Sequence, residues 1–269
     1  VTRVRAYWCP DANWGDQITP VIIERLSGRW PVTGRGVDNG KHLVVGSIIQ
    51  RLRPRDHVWG TGGLSLQHLP KRVPPTATFH AVRGPLIRMA LQKLGAVGIP
   101  EVFGDPGLLA SHMFPVKGTP KYAIGLLPHY VDYPFLRSIQ DPAIRVIDIR
   151  AGVRQVIEMV ASCEVIVATA LHGVILGESY GKPTSWAVLD EGRRIAGWPF
   201  KFHDHFSATC RTPTPALLDR FRRRETVRAA ADRALPPPPF PLEELLRACP
   251  FTEYRKLQDI PKTPLEAAP

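Results

Sequence analysis

The chain reads as an α/β protein built from two Rossmann-like halves that face a cleft. Three observations lead there. Apolar, β-branched runs alternate with helical patterns almost from end to end, the mark of parallel sheets covered on both faces. The segment 114–120, with two prolines, a glycine and lysines nearby, splits the strands into two sets. Polar and glycine-bearing residues follow one strand after another, where open parallel sheets bind their ligands.

The first set of strands is expected at 3–9, 43–49, 57–59, 78–82 and 101–103, and the second at 122–127, 145–149, 164–168 and 184–189. Helices are expected at 20–26, 84–94, 153–161 and 172–180, the first opened by Thr19 as a capping hydroxyl before Pro20. A basic helix should run from about 215 to 235. The four prolines 236–239 then form a stiff extended connector, followed by a short helix at 242–248 and a weakly ordered tail, 260–269. The expected division is 1–115, 116–235 and 236–269.

Composition excludes several classes. Hydrophobic residues make up 44% of 269 and charged residues 22%, as in ordinary globular proteins. No apolar run approaches the roughly 20 residues a membrane helix needs, and residues 1–5, leading straight into a strand, are not expected to be part of a secretory signal. The expectation is a cytoplasmic protein, able to touch a membrane surface. Cys9, Cys163, Cys210 and Cys249 lie far apart, without C-x-x-C spacing, and are read as reduced and structural. The 35 basic against 24 acidic residues give +11, which favours anionic partners. No nucleic-acid motif accompanies that charge.

The residues after each strand carry the chemistry. Asn13-Trp14-Gly15-Asp16 follows the first strand, and Trp59-Gly60-Thr61-Gly62-Gly63 the third. The second of these is not the G-x-G-x-x-G of a dinucleotide site. Arg83 emerges just before Gly84-Pro85 opens a helix, placing a guanidinium beside a helix N-terminus that suits carboxylate or phosphate. Asp105 follows another strand, as a helix cap or a catalytic carboxylate. In the second half, His129 follows Pro128, and His172-Gly173 starts a long helix where an imidazole can act as general acid or hold an anion. Lys201 lies among aromatics in Phe200–206, positioned to reach a phosphate, whereas His203-Asp204-His205 read as a metal site would need further ligands to converge. Together these residues outline a site for a small, highly charged anion.

These stretches resemble, in order, the polysaccharide pyruvyl transferases, and among them the short xanthan- and succinoglycan-type ketal-pyruvate transferases. The matching segments are N-W-G-D from Asn13, V-W-G-T-G from Val58, A-V-R-G-P from Ala81 and P-E-V-F-G-D-P-G-L-L from Pro100. They continue with P-H from Pro128, A-L-H-G-V-I-L-G-E-S-Y-G-K-P from Ala170, F-K-F-H-D-H-F from Phe200 and L-L-R-A-C-P-F near Cys249, covering residues 3–251. The resemblance implies a GT-B-like pair of Rossmann domains and phosphoenolpyruvate as donor substrate, with no cofactor. It implies donor binding by Arg83, Lys201, His172 and Gly173. Many members carry arginine where this chain has Ala170, which leaves more of the anion to Lys201.

For such a transfer, His172 would serve as acid or phosphate ligand, with Asp16, Asp105 and His129 positioning or activating the acceptor hydroxyl. Asn13, Trp59 and Thr61 would contact the acceptor, a lipid-linked oligosaccharide or exopolysaccharide at an anionic membrane surface. No step demands a metal. Two alternatives stay open: a GT-B glycosyltransferase using a nucleotide sugar, and a non-catalytic binder of anionic glycans. The first lacks an acidic ribose clamp. The second accounts for +11 but not for polar residues after so many strands.

Overall fold

The computed structural model describes residues 4–9, 13–33, 39–190 and 195–262. In chain order the elements are β1 (Ala6–Tyr7), α1 (Trp14–Ser27), β2 (His42–Leu43), β3 (His57–Trp59), β4 (Thr78–Ala81), α2 (Pro85–Lys93) and α3 (Ala110–Met113). They continue as β5 (Tyr122–Leu127), α4 (Tyr133–Leu136), β6 (Ile144–Val146), α5 (Val153–Ala161), β7 (Cys163–Ala168), α6 (Leu171–Ser179) and β8 (Thr184–Leu189). The last are α7 (Phe200–Ser207), β9 (Ala216–Leu218), α8 (Arg223–Ala231) and α9 (Leu242–Arg247).

The strands form two all-parallel sheets, ordered β1-β2-β3-β4 and β6-β5-β7-β8-β9. Residues 114–121 join them. One apolar cluster serves both sheets: Trp14, Ile18 and Ile22 of α1 pack with Leu127, Ile166, Trp186, Phe202 and Leu245. Side chains of this size each contribute about 1.5–3 kcal/mol when fully buried. The outer faces are closed separately. Ile87 and Leu91 of α2 cover the first sheet, and Val227 and Ala230 of α8 cover the second. No helix among the described residues is long and apolar enough to cross a membrane.

Several expected elements differ. The first helix begins at Trp14, six residues before the expected start, and holds Pro20 inside it. Asn13 is its cap: Oδ1 accepts the Gly15 N–H at 3.0 Å. Burial of Trp14, Ile18 and Ile22 outweighs the one backbone bond that Pro20 cannot donate. The strand expected at 43–49 pairs only through Leu43. Its remainder turns away at Gly46 (φ +103°), and 101–103 is reduced to a bridge between Val82 and Phe103. The basic segment is not one helix. Ala216–Leu218 adds as β9 beside β8, and Asp219 then accepts the N–H groups of Phe221 and Arg222 to turn the chain into α8. Pairing to an open sheet edge wins over helical propensity there. The helix α7 was not expected. No helix or strand runs through prolines 236–239. Residue 3 of the first expected strand, and 263–269 of the tail, lie outside the described residues.

Candidate active site

A cavity of about 230 Å³ opens where the carboxyl ends of both sheets meet. Asn13 and Asp16 reach it from α1, and Ser47 and Ile48 from the turn after β2. His129 and Tyr130 follow β5, Ala170, Leu171 and His172 form the start of α6, and Lys201 comes from α7. Local sequence places each of them. Trp14 N–H donates to Ile149 O at 2.8 Å, tying the start of α1 to the second half. The ring of His172 lies so close over Gly15 that a Cβ there would stand 1.9 Å from Nδ1, so only glycine admits the histidine. Ala170 supplies no side-chain cap to α6, leaving the first N–H groups of that helix free for an anion.

Lys201 is the distinctive group. It is 7% exposed; its ammonium lies 5.7 Å from the centroid of the Phe202 ring and makes no hydrogen bond or salt bridge among the described residues. Burial, and then Arg83, lower its pKa to about 8, against the opposing pull of Asp16 and Asp132. Asp16 is raised to about 6 by burial and by Asp105, while Lys201 and a hydrogen bond from Asn13 Nδ2 (3.1 Å) act the other way. Burial, and then Lys201, lower His129 to about 3 and His172 to about 3, so both rings are neutral near pH 7. His129 Nδ1 accepts the Val131 N–H at 3.3 Å, and its ring rests against Tyr130.

The other expected site residues lie behind the cavity wall. Arg83 is fully buried. Nε donates to Asp204 Oδ2 at 3.0 Å, Nη1 to Ser47 Oγ at 2.7 Å and Nη2 to Gly63 O at 2.8 Å. It meets the cleft only through Ser47, not as an open guanidinium. Trp59 is a core residue whose Nε1 donates to Leu245 O (2.8 Å), and Thr61 donates to Gly46 O (2.7 Å). Neither lines the cavity, because both side chains are consumed in joining loops beneath the cleft. Asp105 caps a 3-10 turn through Gly107 N–H (2.9 Å) and also accepts Gly46 N–H (3.3 Å); burial raises it to about 6. Gly173 sits against Ala168 and Leu127, and its N–H donates to Ala170 O, so it packs the helix on the sheet rather than touching a donor.

His205 Nε2 bonds to Glu178 Oε2 at 2.7 Å, and Glu178 also receives Arg211. Asp204 is held by Arg83. Among the described residues no group of His, Cys, Asp or Glu is arranged to hold a metal. Reading the sequence missed Ser47 and the capping role of Asp204. Gly46-Ser47 carried the usable signal, a glycine-turn after a strand, hidden by the overlong strand expected at 43–49.

The chain is an α/β protein in which two parallel sheets bring a buried ammonium and the start of α6 to one cavity at their carboxyl ends. Residues 55–187 match the family model described as polysaccharide pyruvyl transferase, in line with the resemblance carried by the sequence motifs. That match supports pyruvyl transfer to polysaccharide in general terms. It is also similar to the uncharacterized protein L143 of Acanthamoeba polyphaga mimivirus, 28% identical over 211 residues, spanning 75% of this chain and 72% of that one. No solved structure matches the chain significantly.

Proposed function

We propose that the protein takes pyruvate from phosphoenolpyruvate and places it as a ketal on a sugar of an exopolysaccharide repeat unit, in the manner of the short xanthan- and succinoglycan-type enzymes. The acceptor is carried on a lipid, so the work is done at the cytoplasmic face of an anionic membrane. In this reading the two sheets act as GT-B-like halves around the cleft.

The supporting observation is Lys201, a buried ammonium with no hydrogen-bond or salt-bridge partner among the described residues, in a cavity that also receives the start of α6. Burying an unpaired charge is costly, and a ligand anion offsets that cost. Phosphoenolpyruvate presents a phosphate and a carboxylate on one vinyl carbon. Lys201 binds the phosphate, the N–H groups opening α6 bind the carboxylate, and Arg83 supports the field from behind Ser47. A proton adds to the methylene carbon and a sugar hydroxyl oxygen bonds to C2, losing its proton. Phosphate then leaves with the C2–O electron pair, and a second hydroxyl closes the ketal. Of the two protons lost by the sugar, one is balanced by the new methyl group and one by hydrogen phosphate. His129 and Tyr130, at the rim, face the sugar.

The test is phosphate release from phosphoenolpyruvate with and without a lipid-linked glycan. Release that needs both substrates is expected. Transfer from a nucleotide sugar, with no phosphate released from phosphoenolpyruvate on any glycan, would make the protein a glycosyltransferase instead.

A further inference from the structure

The protons of the cleft are sorted by one amide. Asn13 Oδ1 accepts the Gly15 N–H at 3.0 Å, and a backbone N–H can only donate. That identifies the oxygen, and the amide nitrogen accordingly faces Asp16 Oδ2 at 3.1 Å, as a donor to a carboxylate should. The same Oδ1 stands 3.2 Å from His172 Nδ1. An amide oxygen only accepts, so Nδ1 carries the hydrogen. A neutral imidazole has one N–H, which leaves Nε2 as a bare lone pair. Nε2 is buried and has no hydrogen-bond partner. In the free protein burial, and then Lys201 and Arg83, keep a second proton off the ring; a bound donor anion opposes the two cations.

We propose that Asn13 is a positioning residue that holds His172 with its proton on Nδ1, so that Nε2 accepts the proton of the attacking sugar hydroxyl, and that leaves Oδ1 of Asp16 to carry the proton given to the donor. This deepens the pyruvyl-transfer reading and rests on it. It also reverses the expectation of His172 as the acid. In the first step the sugar O–H bond breaks, its proton goes to Nε2, and the oxygen bonds to C2. The C2=C3 electron pair takes the proton from Asp16, leaving a carboxylate and an imidazolium. In the second, the C2–O bond to phosphate breaks, phosphate takes the imidazolium proton, and the second hydroxyl oxygen bonds to C2 while its proton restores Asp16. Both side chains return to their starting states. Burial of Asp16 supports its part, since a carboxyl raised to about 6 is partly protonated near neutrality.

The tautomer is measured without substrate, by nitrogen-15 NMR of histidine-labelled protein, with His172→Gln assigning the signal. The Nδ1–H form is expected from pH 6 to 8, and an Nε2–H form overturns the proposal. Asn13→Asp keeps both the helix cap and an acceptor for Nδ1, so it should retain the tautomer. Asn13→Ser keeps the cap but is too short to reach the ring, so it should give a mixture of tautomers. If Asn13→Ser, folded by circular dichroism, keeps the pure Nδ1–H form, Asn13 does not set it and the proposal fails. In turnover, Asn13→Ser should lower kcat at least about tenfold while KM for phosphoenolpyruvate changes less than about threefold. An unchanged kcat also overturns the proposal. If the wild type shows the Nδ1–H form yet never releases phosphate from phosphoenolpyruvate, it is the pyruvyl-transfer reading that falls.

Discussion

Lys201 is a side chain whose burial costs the fold, and under the proposed function a bound anion offsets that cost. Its pKa falls from the usual lysine range to about 8, so at pH 7 the folded protein holds a charge that burial disfavours. Lys201→Met should therefore stabilise the free protein by about 1–3 kcal/mol at pH 7 while weakening phosphoenolpyruvate binding by about 2–4 kcal/mol. The folded pKa lies below the unfolded one, so the wild type recovers stability as pH rises from about 8 towards 10.5. Melting curves of the two proteins should converge over that window, and calorimetry should report the affinity loss. A variant that melts lower than wild type at pH 7 would mean that the ammonium has a protein partner.

At the scale of elements, α7 locks the two halves together. Gly84 comes so close to α7 that a Cβ there would stand 1.8 Å from Asp204 O, and Asp204 Oδ1 accepts the Ile87 N–H at 2.8 Å, capping α2 from the opposite half. The same carboxylate pairs with Arg83. Asp204→Ala should cost about 3–5 kcal/mol, because it uncaps α2 and strands a buried guanidinium. Arg83→Met with Asp204→Leu should recover most of that loss in denaturant melts. Little recovery would show that the cap on Ile87, rather than the ion pair, carries the energy.

A second element-scale feature is the histidine ladder across the first sheet. His42 stacks on His57 at 4.8 Å, and His57 Nδ1 lies 3.0 Å from His80 Nε2. Burial lowers both His42 and His80 to about 4. Their folded pKa values lie below the unfolded value of 6.5, so the stability they contribute is present above pH 6.5 and lost as pH falls towards 4. His80→Phe should flatten that acid limb. An equally steep loss in the variant would assign the limb to other groups.

Across the whole molecule the +11 charge is unevenly spent. Arg220 pairs with Asp190, Arg223 with Phe135 O and Ser138, and Arg228 with Asp141. The side chains of Arg222 and Arg224 make no hydrogen bond or salt bridge among the described residues, and beside them Phe221 is 87% and Leu217 66% exposed. Free cations around two protruding apolar side chains suit an anionic lipid surface, where each contributes about 1 kcal/mol at low salt. Sedimentation with anionic vesicles should fall with salt and with Arg222→Gln/Arg224→Gln, while activity on a soluble acceptor survives. Failure of the wild type to bind anionic vesicles at low salt would reject this surface.

The sequence by itself determined what depends on local pattern. Strands 57–59, 122–127 and 184–189 and helix 153–161 stand where periodicity puts them, because a buried strand or an amphipathic helix is written in its own apolar spacing. Asp16, His129, His172 and Lys201 were legible because each lies at or just after a strand end or helix start. Tertiary structure decided the rest. Periodicity does not reveal that α1 runs through Pro20, since the burial that favours it comes from the other sheet. Nor does it reveal that 216–218 finds a strand edge at β8. Arg83 looks open to solvent in sequence and is enclosed in the fold, because its partner Asp204 is 121 residues away. Whether a charged side chain faces a ligand or another residue depends on which distant segment reaches it first, and only the packed chain settles that.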